Sequence, residues 1–430
     1  MKEIRPASQI EAVVAIPGSK SMTHRLLIAA ALAEGSSVLH RLLSAEDTLL
    51  TAQALRCLGV PISWHGQSAR VSGNAGVFPP VSGRKEVFLG NSGTSLRLLL
   101  SIAALARGEF LFTGTPRLRQ RPIGELVAAL QKLGAGISFA AAQGFPPVIV
   151  SGGGIPGGRV ELSGKESSQF LSSLLLAAPY SQEGIRIEIT GELVSRPYVD
   201  LTVDVMQRFG VTVLRDGYRS FQVAPGGKYQ AGEYTVEGDA SSASYFWAAA
   251  AVTQGAVTTE NIYPLASSQG DIGLLDVLEV MGCRVRRSTD RVTVEGGVLR
   301  GIELDMAGMP DMVPTVAAVA LFAEGKTTIR NVAHLRLKES DRLQAIATEW
   351  QRLGARVAER QDGLIIHPGG GLAGAVVDPH DDHRIAMALA VIGLRLPGVI
   401  IRNEDCVSKS FPTFWQLWDS LASQGKFHSS

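Results

Sequence analysis

Two stretches decide the fold: IPGSKSMTHRLLIAAALAEG at residues 16–35 and LGNSGTSLRLLLSIAALARG at residues 89–108. Each reads as a strand end, a polar turn, then a helix rich in Ala, Leu and Ser. The same pattern returns as LSGKESSQFLSSLLLAAP from Leu162 and VEGDASSASYFWAAAAVTQG from Val236. Two weaker copies follow, AGMPDMVPTVAAVALFAEG from Ala307 and VDPHDDHRIAMALAVIG from Val377. Gly18, Gly90, Gly164 and Gly238 mark equivalent points, so the copies are 72, 74 and 74 residues apart. Six such units fill the 430 residues.

A second helix is expected in each unit, ending at Leu58-Gly59, Leu133-Gly134, Phe209-Gly210, Met281-Gly282 and Leu353-Gly354. Glycine just beyond a helix takes the left-handed conformation that closes it. Alternating segments such as VRRSTDRVTVEG then supply strands, so a unit reads βαβα followed by β-strands. The sixth copy, SKSFPTFWQLWDSL from Ser408, runs out near the C-terminus. These units exceed the ~20–50 residues typical of solenoid repeats. Their helix starts also differ chemically, which a purely structural array does not require.

Composition narrows the function. A chain of this length is too long for one ordinary core and is read as two domains or more. Lys+Arg 41 against Asp+Glu 40 leaves no global pull toward nucleic acid or acidic membranes. No apolar run approaches the ~18–20 residues of a membrane span. Cys57, Cys283 and Cys406 are odd in number and widely spaced, which suits a reducing cytoplasm and offers no disulfide framework or zinc pattern.

The helix starts point to anions. A helix N-terminus carries unpaired N–H groups and partial positive charge. Lys20, Arg25, Arg97, Arg121, Lys338, Arg342, Arg384 and Lys409 sit at or near these starts, where cations oppose the dipole unless a ligand compensates them. Other motifs fail in context. GGGIPG at 152–157 leads into the strand-like RVELS, and GKT at 325–327 into TTIRNV, so neither is a nucleotide loop. The run His380-Asp381-Asp382-His383 opens a helix, where Asp is a natural cap, and no metal site is read there.

PGSKSMTHR, LGNSGTSLR, RLRQRPIGEL, ESSQFLSSLLLAAP, VSRPYVD, VEGDASSASYF, LKESDRL, DDHRIAMAL and VSKSFP occur in this order along nearly the whole chain. In these motifs the chain resembles the EPSP synthase (3-phosphoshikimate 1-carboxyvinyltransferase) family. The resemblance implies a two-domain inside-out α/β barrel of six βαβαββ repeats, three per domain. Residues 1–17 plus 238–430 would form the lower domain and 18–237 the upper, with the active site between them. It implies transfer of the enolpyruvyl group of phosphoenolpyruvate to the 5-hydroxyl of shikimate 3-phosphate, through a tetrahedral ketal, in chorismate biosynthesis. No cofactor or metal is expected; the partners are the two small substrates, with no nucleic acid or membrane, and the protein is read as a cytoplasmic monomer.

The resemblance also assigns residues. Lys20, Ser21, Arg25, Ser167, Ser168, Gln169, Ser195, Asp311, His334 and Lys338 match the shikimate 3-phosphate contacts. Lys20, Gly93, Arg121, Gln169, Arg342, Arg384 and Lys409 match the phosphoenolpyruvate pocket. Asp311, Glu339 and Lys20 match the catalytic groups, Asp311 beside the 5-hydroxyl and Glu339 at the methylene carbon. Asn91, Thr94 and Arg97 belong to the same helix-start motif. His334 stands where many relatives carry Asn. The related UDP-N-acetylglucosamine enolpyruvyltransferases normally use a loop cysteine, absent from RLRQRPIG. A scaffold without chemistry and an RNA-terminal phosphate cyclase are the remaining alternatives; the neutral charge argues against the latter.

Overall fold

The computed structural model describes residues 1–368 and 370–424. The chain divides into two compact units, an inserted one at Lys20–Val236 and a split one formed by Met1–Ser19 with Glu237–Ser430. Twelve α-helices fall in six pairs among the described residues. The inserted unit holds α1 (Lys20–Leu32) and α2 (Glu46–Cys57), α3 (Gly93–Leu105) and α4 (Gly124–Lys132), and α5 (Ser168–Ala177) and α6 (Pro197–Arg208). The split unit holds α7 (Ala240–Thr253) and α8 (Leu274–Met281), α9 (Val313–Ala320) and α10 (Arg342–Arg352), and α11 (His383–Gly393) and α12 (Phe414–Gln424).

The first helix of each pair is mostly apolar beyond its first turns, is buried on nearly all sides and lies at the centre of its unit. All residues of α11 are buried, as is every residue of α3 except Thr94. Hydroxyls inside these helices bond one another, as where Ser101 Oγ meets Ser173 Oγ at 2.7 Å between α3 and α5, or backbone carbonyls, as where Thr253 donates to Ala249. The second helices are two-sided: α10 buries Leu343, Ile346 and Trp350 on one face. Sheets lie outside the central helices, so each unit is an inside-out α/β arrangement.

One sheet pattern recurs. In the second repeat, Arg84–Phe88 runs parallel to Glu109–Thr113, which is antiparallel to Val148–Ser151, itself paired with Gly136–Phe139. A parallel pair joined through α3 places both strand-to-helix connections, before α3 and before α4, at the same edge of the sheet. At the other end, α2, α4, α6, α8 and α10 stop at Gly59, Gly134, Gly210, Gly282 and Gly354, all with φ between 86° and 114°. A side chain there would be strained, which is why glycine recurs at this one point.

Two features depart from a simple repetition. The first and fourth repeats exchange opening strands: Glu11–Ala15 pairs with Ala256–Glu260 in the split unit, while Glu233–Thr235 pairs with Glu34–His40 in the inserted one. In the sixth repeat Val376–Val377 runs parallel to Ile400–Ile401, but the place of a hairpin strand is taken by Lys2–Glu3, antiparallel to Ile400–Ile401. The N-terminal strand thus covers an edge that the last repeat leaves open among the described residues.

Candidate active site

Every residue assigned above lies at a strand-to-helix connection or in the first turns of the helix that follows. The cations are not confined to the first helices as the sequence reading has it. Arg121, Lys338, Arg342 and Lys409 stand at the second connection of their repeats, after the second strand. Parallel strands explain this, because both connections of a repeat open on one edge.

In the inserted unit, Lys20 opens α1 and its Nζ lies 3.3 Å from Asp47 Oδ2 at the start of α2. Ser21 follows, and its carbonyl accepts from Arg25 Nη1 at 2.8 Å. Arg25 is fully buried, and its other acceptors are also neutral: Thr202 Oγ1 at 2.7 Å, Ser172 Oγ at 3.4 Å and the Tyr198 carbonyl at 3.1 Å. Burial pulls the Arg25 pKa down to about 10, with Tyr198 opposing. A guanidinium desolvated on neutral acceptors is a charge awaiting an anion.

Gly93 is the first residue of α3, and a Cβ built on it would fall 2.5 Å from Arg121 Cζ. The missing side chain is what gives the buried Arg121 guanidinium its place. Ser167 caps α5, its hydroxyl accepting from the Gln169 N–H at 3.2 Å, and Ser168 is the first helical residue. The Gln169 amide is oriented at both ends, accepting from Arg97 Nη1 at 2.9 Å and donating to Thr94 Oγ1 at 3.0 Å. Ser195, buried before α6, holds φ at 55°, a conformation that serine adopts only under local constraint.

In the split unit the residues converge on Asp311, in the turn Pro310–Met312 that leads into α9. Its Oδ1 accepts from Arg342 Nη1 at 2.8 Å and its Oδ2 from Arg384 Nη2 at 2.8 Å; Lys338 Nζ is 3.9 Å away. Burial pushes the Asp311 pKa up, but Arg384, Lys338 and Arg342 outweigh it and hold the carboxyl well below the usual range. Glu339 accepts from Arg342 Nη2 at 2.9 Å and from Lys409 Nζ at 3.2 Å. His334, buried in the turn Ala333–Leu337, has its pKa drawn down to about 4 by burial, with Lys338 adding. A neutral imidazole is then available at pH 7, able to meet a hydroxyl as the amide of Asn would.

Asp382 is more than the helix cap read from the sequence. It caps α11 by accepting from the Arg384 N–H at 3.0 Å, and it also grips Arg342 through Nε at 2.7 Å and Nη2 at 3.3 Å. His380 turns away to Glu349, 3.1 Å from its Nε2. Asp47 was likewise missed as a partner of Lys20; the acidic start of α2 was visible, but its pairing spans 27 residues.

Buried Arg and Lys stand at the strand-to-helix connections of the first, second, fifth and sixth repeats, donors suited to an enzyme that acts on small polyanions. Residues 4–418 match the model of EPSP synthase (3-phosphoshikimate 1-carboxyvinyltransferase), and the chain belongs to this family. It is 48% identical over 408 residues to the 3-phosphoshikimate 1-carboxyvinyltransferase of Methanoculleus marisnigri, covering 95% of this chain and 96% of that one. The enzyme of the same name from Syntrophobacter fumaroxidans is 47% identical, with 98% and 100% covered. Among solved structures, EPSP synthase from Acinetobacter baumannii superposes with a TM-score of 0.81 at 29% identity, covering 98% of each chain.

Proposed function

We infer that this protein transfers the enolpyruvyl group of phosphoenolpyruvate to the 5-hydroxyl of shikimate 3-phosphate, in the pathway to chorismate and the aromatic amino acids. Family membership over nearly the full length supports the reaction. The caged carboxylate Asp311 is the observation that carries the chemistry. We assign Lys20, Ser21, Arg25, Ser167, Ser168, Gln169, Ser195, Asp311, His334 and Lys338 to shikimate 3-phosphate. Lys20, Gly93, Arg121, Gln169, Arg342, Arg384 and Lys409 serve phosphoenolpyruvate.

Without ligand, Asp311 is a poor base because its cations hold it ionised. Phosphate and carboxylate groups of phosphoenolpyruvate compete for Arg342 and Arg384. Once those guanidinium groups turn to the substrate, the Asp311 pKa rises and the carboxylate is able to accept the 5-hydroxyl proton. The hydroxyl oxygen bonds to the central carbon of phosphoenolpyruvate as its methylene carbon takes a proton from Glu339 in its acid form. Glu339 then takes a proton back from the resulting methyl group as the carbon–oxygen bond to phosphate breaks and the double bond returns, and the proton held by Asp311 leaves with phosphate. Lys20 offsets charge on both substrates.

Free cysteines at 57, 283 and 406 suit the cytoplasm, and the protein acts there as a monomer; sedimentation of the purified chain checks the latter. No helix among the described residues is long and apolar enough to cross a membrane. Phosphate release measured with both substrates tests the reaction. Asp311→Ala is expected to lower kcat by ~10²–10⁴-fold while shikimate 3-phosphate still binds. Turnover near that of the unmodified protein would overturn the role of Asp311.

A further inference from the structure

Five of the six repeats supply the residues assigned above. The fourth, built around α7 and α8, supplies none, yet it has the same two connections on the same edge. Its first connection carries Ser241, the second residue of α7, and its second carries Asp271, in the turn Gly270–Gly273. Asp271 is buried. These two side chains touch: the Ser241 hydroxyl donates to Asp271 Oδ2. On its other side Ser241 Oγ lies 3.4 Å from Arg384 Nη2, the nitrogen that donates to Asp311.

We propose that Asp271 and Ser241 form a positioning pair that holds the Arg384 guanidinium for phosphoenolpyruvate. A serine hydroxyl has one proton to donate and lone pairs to accept. A guanidinium only donates. With its proton committed to Asp271, Ser241 must turn a lone pair toward Arg384. Asp271 thereby sets the direction of the Ser241 hydroxyl, and Ser241 gives Arg384 a neutral anchor that does not compete with an anionic substrate. The anchor gains importance during turnover. When Arg384 turns from Asp311 toward the substrate, that ion pair is lost, and Ser241 remains.

The surroundings of Asp271 fit this role. Burial pushes its pKa up to about 6, with the charge of Asp311 adding and Arg384 opposing; Ser241 and Asp239 also face it. At neutral pH it is still mostly ionised and accepts from Ser241. The turn that carries it is clamped to the start of α7 by Gln269, which accepts from the Ala240 N–H at 3.1 Å and donates to the Gly238 carbonyl at 2.8 Å. Asp239 caps the same helix through the Ser242 N–H at 2.9 Å. Ser241 and Asp271 are therefore held in register by backbone contacts that a change in either side chain leaves intact.

The proposal rests on the assignment of Arg384 to phosphoenolpyruvate, and the test separates the two. Steady-state kinetics and shikimate 3-phosphate titration are compared for Asp271→Ala, Ser241→Ala, their double variant, Asp271→Asn and Arg384→Ala. Asp271→Ala and Ser241→Ala should each raise the KM for phosphoenolpyruvate about tenfold, the scale of one hydrogen bond to a charged group. In both, kcat should stay within about threefold and shikimate 3-phosphate affinity should be unchanged. The double variant should be no worse than either single one, because both break one chain of contacts. Asp271→Asn should restore most of the KM, since its amide oxygen also accepts from Ser241. An unchanged KM in Asp271→Ala or Ser241→Ala, alongside a raised KM in Arg384→Ala, overturns the positioning role and leaves the Arg384 assignment standing. An unchanged KM in Arg384→Ala overturns both. Should Asp271→Ala fail to fold, Ser241→Ala and Asp271→Asn decide alone.

Discussion

Arg25 in the inserted unit and Arg342 in the split unit are both fully buried, and their surroundings are opposite. Arg25 finds hydroxyls and carbonyls. Arg342 finds three carboxylates, Asp382, Asp311 and Glu339. Burial works against the charge in both. It prevails at Arg25, whose pKa falls, whereas at Arg342 the three acids reverse it and push the pKa up. One site stores an uncompensated cation whose energy is recovered when an anion arrives. The other stores a balanced network from which an anion must displace carboxylates, freeing one of them for proton transfer.

Replacing each arginine by methionine should expose this difference most strongly. Arg342→Met leaves Asp382 buried without its main cation and is expected to cost about 3–5 kcal/mol of stability. Arg25→Met leaves Thr202 and Ser172 bonded to each other at 2.8 Å, so stability should change by no more than about 1 kcal/mol. Its loss should appear in shikimate 3-phosphate affinity instead. Urea denaturation with ligand titration reads both, and equal stability losses would erase the distinction.

Acid should affect the two units alike. Burial draws the pKa of His24 down to about 3 and that of His334 to about 4, both below an unfolded value of about 6.5. The unfolded chain then binds more protons than the native one as pH falls from about 7 to 5, so stability rises with pH across this window. Each histidine should contribute about 2 kcal/mol of that slope. His24→Asn and His334→Asn, denatured at pH 7 and pH 5, should each flatten the difference by that amount. A slope identical to that of the unmodified protein in both would contradict the burial argument.

The smallest stability effect is expected at Gly93. In Gly93→Ala the new methyl meets the end of the flexible Arg121 side chain rather than backbone. Stability should stay within about 0.5 kcal/mol. The KM for phosphoenolpyruvate should rise several-fold as the guanidinium shifts, with shikimate 3-phosphate affinity unaltered. Equal weakening of both substrates would move Arg121 out of the phosphoenolpyruvate set.

What could be read from the chain was local. Glycines after the second helices, apolar first helices and cations near the turns all follow from neighbours within a few residues. The strand exchange was not legible, because EAVVA at Glu11–Ala15 has no feature that tells one parallel neighbour from another. Nor was the filling of the sixth sheet by Lys2–Glu3, two residues too short to show alternation. The same limit hid Asp382 as a partner of Arg342, forty residues away, and Ser241 as a partner of Arg384, 143 residues away. Residues assigned by resemblance rest on several motifs that agree in order, whereas the contacts between motifs depend on packing.

The exchanged strand also sets a timetable. Glu11–Ala15 leaves the ribosome well before Ala256–Glu260, its parallel neighbour. At ~5–20 residues per second, the wait is on the order of 12–50 s. The inserted unit is made during that interval, and its own first sheet closes only when Glu233–Thr235 emerges near the end of it. A nascent chain must therefore carry an unpaired strand for about 12–50 s. Five residues with a glutamate at one end give a neighbouring nascent chain little edge to pair with.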